Sequence, residues 1–216
     1  MNSFNWVQEI AIWALPVLFG ITVHEVAHGW VALLLGDKTA WMLGRLTLNP
    51  FKHVDPVGTI LVPLLSLSIG GFMFGWAKPV PITWRNLKHP RRDTALVAIA
   101  GPMANALMMI AWALGAKLAL SCVHMGFEQA SFLVYMAQAG ITMNVLLMVV
   151  NLIPIPPLDG SRVLASFLPQ RLALVLDRIE PYGFIILIVL MASKTLSVVL
   201  NPLISNILSC VNQLLA

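Results

Sequence analysis

Long apolar runs make up most of this chain, separated by short, basic, proline-marked breaks. The first run extends from about Phe4 to Leu35 and stops at Gly36-Asp37, a helix-ending pair. At about 1.5 Å per residue it is long enough to cross a bilayer with some tilt, and Pro16 is a candidate kink. A mixed stretch, 36–56, follows. In it Arg45-Leu46-Thr47-Leu48 alternates as a short strand would, and Asn49-Pro50 and Asp55-Pro56 mark turns. Residues 57–75 are apolar again but broken by Pro63, Gly70, Gly71 and Gly75, and 75–92 is basic and proline-rich with extended character. Helices are predicted over about 93–120, 131–153 and 181–209, the last interrupted by Lys194 and Asn201-Pro202.

Composition turns these runs into membrane spans. Of 216 residues, 59% are hydrophobic and 10% charged, and the mean hydropathy is +0.86; soluble domains average about 45–50% apolar and about 25% charged. So few charges cannot cover a globular surface, and a free-standing soluble protein is excluded. Met1 to Gln8 lacks a positive region and no cleavage pattern follows, so the first run is expected to be retained rather than removed as a signal peptide. The expected fold is an all-α polytopic membrane protein of about four to six transmembrane helices. It forms a single domain over 1–216, with a core at about 5–165 and a C-terminal helical region at about 180–216. Cys122 and Cys210 have no ligand spacing and read as ordinary apolar residues.

Charge placement adds direction. The net charge is +4, and 11 of the 13 Lys and Arg fall within 38–52, 78–92 and 162–178. Basic residues lodged between apolar runs do not form a nucleic-acid-binding face; they mark loops held on the cytoplasmic side. Because 36–56 and 76–92 are both basic, 57–75 is expected to enter and leave on one side as a re-entrant or helix-pair element. Irregular backbone at membrane depth needs protein or a water-filled cavity around it. The loop 121–130 has no Lys or Arg and belongs outside, which returns the end of the 131–153 helix to the cytoplasmic side.

Within the first run lies His24-Glu25-Val26-Ala27-His28. On a helix, positions i and i+4 share a face, so both imidazoles can hold one metal ion while the glutamate beside them reaches an activated water. Two histidines merely hydrogen-bonded to neighbours are the plainer alternative. Ionisable groups inside a span are costly, however, unless they bind something or face water. A catalytic zinc takes a third protein ligand. His53, Asp55, His89 and Asp93 are open candidates, and Asp37 would have to reach back along its own helix. The strongest candidate is Asp159, which closes Asn151-Leu-Ile-Pro-Ile-Pro-Pro-Leu-Asp159-Gly160, where prolines forbid regular helix. Its alternative role is an N-cap for a helix starting at Gly160.

The HEVAH helix, AGPMAN (100–105) and NLIPIPPLDG (151–160) in this order resemble the site-2 protease family of zinc intramembrane metalloproteases. GRLTLNPFKHVDPVGT and FGWAKPVP are similar to its compact bacterial and archaeal members, and the likeness covers about residues 17–165. The resemblance implies Zn²⁺, one per chain, held by His24, His28 and Asp159, with Glu25 as general base. It places Asn151 near the substrate backbone, and Gly101 and Asn105 on a helix packed against the other two. It further implies short β-strands beside the zinc, to which an unwound transmembrane substrate adds as another strand. The partners would then be transmembrane proteins and the lipid bilayer. The location would be a prokaryotic plasma membrane, with the active site toward the cytoplasm. Set against larger relatives, the sequence is expected to carry no PDZ or nucleotide-sensing domain and to place its motif helix first. A membrane metal transporter or sensor using the same residues is the competing function.

Overall fold

The structure, a computed structural model, describes residues 5–61 and 77–215. Its helices are α1 (Trp6–Leu34), α2 (Thr39–Met42), α3 (Pro90–His124), α4 (Ser131–Asn151), α5 (Asp159–Phe167), α6 (Gln170–Ala192) and α7 (Thr195–Leu215). Among the described residues, four helical stretches are long and apolar enough to cross a membrane: Trp6–Leu34, Pro90–His124, Glu128–Asn151 and Thr195–Leu215. That is the low end of the expected range.

Local chemistry sets the ends of α1. Asn5 caps its N-terminus in a reciprocal pair with Gln8. At the other end Gly36 takes φ +118°, a conformation glycine adopts without penalty, and the chain turns where Gly36-Asp37 predicts. The Asp37 carboxylate, 1% exposed, then accepts hydrogen bonds from Thr39 (N and Oγ1), Thr83 N and Asn86 Nδ2. This ties the end of α1 to the chain leading into α3.

Helices α1, α3 and α4 pack against one another, and α5 lies on α3. Small residues allow the close approach: a Cβ on Gly20 would meet the Asn144 side chain, and one on Gly140 would meet the Trp112 ring. Ala137, Ile141, Val145 and Val149 of α4 form a core with Ala116 of α3 and with Leu200 and Val211 of α7. Ala32, Leu87 and Val97 form a second core beneath the end of α1.

Two expectations change, and a third falls mostly outside the described residues. No strand forms among the described residues; 45–48 and 77–83 are irregular. Pro79 and Pro81 carry no N–H, so the middle of one edge of the second segment has no donors for a ladder. On the other edge, the Lys78 and Val80 N–H groups are taken by His53 O and the Glu25 carboxylate. The C-terminal helix predicted over 181–209 is two helices beginning at 170. The break falls at Lys194, φ +59°, while Pro202 sits inside α7. Most of the 57–75 re-entrant element lies outside the described residues; Pro56–Leu61 is a π-helical turn.

Candidate metal centre

His24 and His28 lie one turn apart on α1, each 7% exposed, with ring centroids 4.6 Å apart. Asp159 opens α5. Helix regularity stops at Asn151, and the proline-rich link carries the chain back over the α1 face. Gly160 makes the fit possible: a Cβ there would stand 2.3 Å from Leu152 O and 2.5 Å from Ile153 O. Asp159 does not act as the N-cap, which is Leu158 without a side-chain bond. Its Oδ2 lies 3.2 Å from His24 Nε2 and 3.3 Å from His28 Nε2, and the two Nε2 atoms are 3.0 Å apart.

The outer ring nitrogens determine what these inner atoms can be. His28 Nδ1 is 2.7 Å from Val97 O. A carbonyl only accepts, so Nδ1 carries the proton and Nε2 of the neutral ring offers a lone pair. His24 Nδ1 lies 2.6 Å from Asn105 Oδ1. The Asn105 amide nitrogen is directed to Gly20 O at 3.2 Å and to Asn144 Oδ1 at 2.9 Å, so its oxygen faces the imidazole as acceptor. Asn144 is fixed in turn by donating to Gly140 O. Both Nε2 atoms therefore point lone pairs at a carboxylate oxygen that is buried and has no hydrogen-bond partner. With both rings in this neutral form, three acceptors face one another, which is the arrangement of a cation site. Two imidazoles and a carboxylate are a ligand set that zinc takes, and their metal-binding atoms lie within 4.8 Å of one another. The residues fit the ion.

Four of the other candidates are engaged elsewhere. Asp37 binds the Thr39–Asn86 region, and Asp93 accepts from His89 N and Arg92. The His53 Nε2 group donates to Thr47 O, and Asp55 accepts from Val57 N and Gly58 N. Glu25, one residue from His24, faces a cavity of 380 Å³ also lined by Val80, Trp84, Asn151, Arg162 and Glu180. Its Oε2 accepts from Val80 N at 2.8 Å. Asn151 lines the same cavity and gives one amide hydrogen to Leu147 O, 2.9 Å away on its own helix. Arg162, one turn past Asp159, pairs with Glu180 of α6 and stacks 4.7 Å over the Trp84 ring.

Gly101 and Asn105 do more than pack. A Cβ on Gly101 would lie 2.4 Å from His28 Nε2, so the missing side chain is the space the imidazoles occupy. Sequence reasoning treated Asn105 as a packing residue, whereas its carboxamide orients His24. A fully buried asparagine in an apolar helix is the signal that could have revealed this role. The Val97 carbonyl and the Val80 N–H leave no trace in side-chain identity.

The model of Peptidase family M50 matches residues 120–193, which include Asp159 but not the histidine pair. A Bacillus subtilis (strain 168) protein named "Putative zinc metalloprotease YwhC" is 37% identical over 199 residues, 88% of this chain and 84% of that protein. A protein named "Putative zinc metalloprotease Rip2" from Mycolicibacterium smegmatis is 30% identical over 181 residues, covering 83% of this chain and 66% of its own length. The Rip2 protein of Mycobacterium tuberculosis (strain H37Rv) is 28% identical over 193 residues, covering 89% and 69%. No solved structure matches the chain.

Proposed function

The chain belongs to peptidase family M50, the site-2 protease family of zinc metalloproteases, and from that premise we propose that it cuts transmembrane segments of other proteins inside the bilayer. The observation that carries this reading is the trio of mutually facing acceptors, His24 Nε2, His28 Nε2 and Asp159 Oδ2, beside a glutamate in a shared cavity. A zinc ion held there supplies Lewis acidity, polarising a carbonyl and bringing the pKa of a water to about 7.

The protein's own groups do the rest. Glu25 accepts the proton of the attacking water and returns it to the leaving amine. Asn151 offers its second amide hydrogen to the substrate carbonyl as negative charge develops. A peptide bond within a helix is shielded by its own hydrogen bonds, so the substrate must open locally, and segments with Gly, Pro or β-branched residues near the cut open at lower cost. The basic loops set the orientation, with the site reached from the cytoplasmic face of a prokaryotic plasma membrane. One integral-membrane unit performs the reaction.

The test is Glu25→Gln in purified protein given a single-span substrate. Zinc content is expected to stay at the wild-type level while cleavage falls by at least about a hundredfold, the low end for a lost general base. Retained cleavage contradicts the reading. Zinc flux across proteoliposomes that survives the substitution would support transport instead.

A further inference from the structure

We propose that the segment Lys78–Val80 is a positioning device for Glu25, in which the Val80 backbone N–H holds one carboxylate oxygen and the Arg45 guanidinium holds the segment in place. The proposal rests on Glu25 being the proton-transferring group of the reading above. Glu25 and Gly29 lie one turn apart on the same face of α1, and Val80 sits across that turn. Its N–H reaches Glu25 Oε2 at 2.8 Å. Its side chain, 5% exposed, fills the notch at Gly29, where a Cβ would come within 2.8 Å of Val80 Cγ1. Pro79 and Pro81 have fixed φ and no N–H, so Val80 carries the lone backbone donor between them.

Two anchors outside α1 keep that donor aimed. Lys78 N donates to His53 O at 2.9 Å. Arg45 Nη2 donates to Lys78 O at 3.0 Å and to Pro79 O at 3.3 Å, bonds strengthened by the guanidinium charge. The Glu25 side chain has three torsions. Fixing one oxygen removes most of that freedom and leaves the other to exchange a proton at a defined place, which is what a catalytic base needs. Arg45 is thus a positioning residue acting through backbone carbonyls, and its neighbour on the line to Glu25 is an amide rather than a side chain.

The experiment uses the full zinc-loaded chain in nanodiscs with a single-span test substrate. For Arg45→Met and Val80→Pro we expect kcat to fall roughly tenfold to a hundredfold, the rate equivalent of one hydrogen bond to a charged group, with KM and zinc content little changed. Arg45→Lys keeps the charge and a donor group without the guanidinium fork and recovers part of the loss. A second readout does not depend on turnover. By amide hydrogen exchange, Glu25→Ala should speed exchange at Val80 while Lys78, bonded to His53, stays protected. The proposal is overturned if Arg45→Met keeps kcat, if it loses zinc, or if Val80 exchange ignores Glu25→Ala. A zinc-loaded wild-type protein that cleaves nothing would defeat the endopeptidase reading, whereas the exchange arm alone decides the Val80–Glu25 bond.

Discussion

A methyl group added at Gly101 would come within 2.4 Å of His28 Nε2 and 2.6 Å of His24 Cε1. Helix backbone cannot retreat that far, so the rings must rotate out of register with Asp159. Gly101→Ala is expected to lose most of its bound zinc by metal analysis; Gly115→Ala, which opens onto empty space on the same helix, should keep it. Asn105→Leu keeps the branched outline of the side chain but leaves the His24 Nδ1 proton without an acceptor. Loss of such an outer partner costs about 10–100-fold in metal affinity, measurable by competition with a chromophoric chelator. An affinity equal to wild type would mean that His24 is oriented by something other than this amide. The pairing of His24 with His28 was legible because helical spacing fixes which side chains share a face. The partners on α3 were not, since no periodicity states which buried asparagine will meet which ring.

The connection between α1 and α3 is built on Asp37. Burial pushes its pKa up, but hydrogen bonds from Thr39, Asn86 and the Thr83 N–H outweigh that and hold it below its ordinary value of 3.8. A carboxylate depressed on folding stabilises the protein fully above its unfolded pKa and loses that contribution as pH falls through the lower folded value. Thermal melts should therefore show Asp37→Asn several degrees less stable than wild type at neutral pH, with the gap closing as pH drops below 3.8. A constant gap would assign Asp37 a role independent of its charge. Helix ends at Gly36-Asp37 and Asn151 were readable from glycine and proline chemistry. The strand over 45–48 was not realised, because alternation specifies a strand only where a partner edge has donors. Pro79 and Pro81 remove them, and Val80 N–H is bound to Glu25. The onset of α6 at Gln170 was hidden by Pro181, which suggests a boundary yet lies within the helix.

The apolar helices α1, α3 and α4 pack together so that the metal-binding atoms converge within protein rather than facing lipid. Membrane residence was evident from composition alone, and the proposed orientation rests on where Lys and Arg fall. In a Cys122→Ser/Cys210→Ser background, Phe127→Cys should react with an impermeant maleimide added outside intact cells, and Lys88→Cys only after permeabilisation. The reverse pattern would invert the topology. What composition could not supply was the fit at the centre, which depends on the bare faces of Gly101 and Gly160 and on the proline-rich turn that returns Asp159 to α1. Zinc-edge X-ray absorption on the purified wild-type and Asp159→Ala proteins tests that fit most directly. The wild type should hold one zinc per chain with two imidazole nitrogens and a carboxylate oxygen among its ligands, and Asp159→Ala should lose the carboxylate and bind the metal more weakly. Sulfur in the coordination shell, or identical spectra and zinc content for the two proteins, would contradict the account.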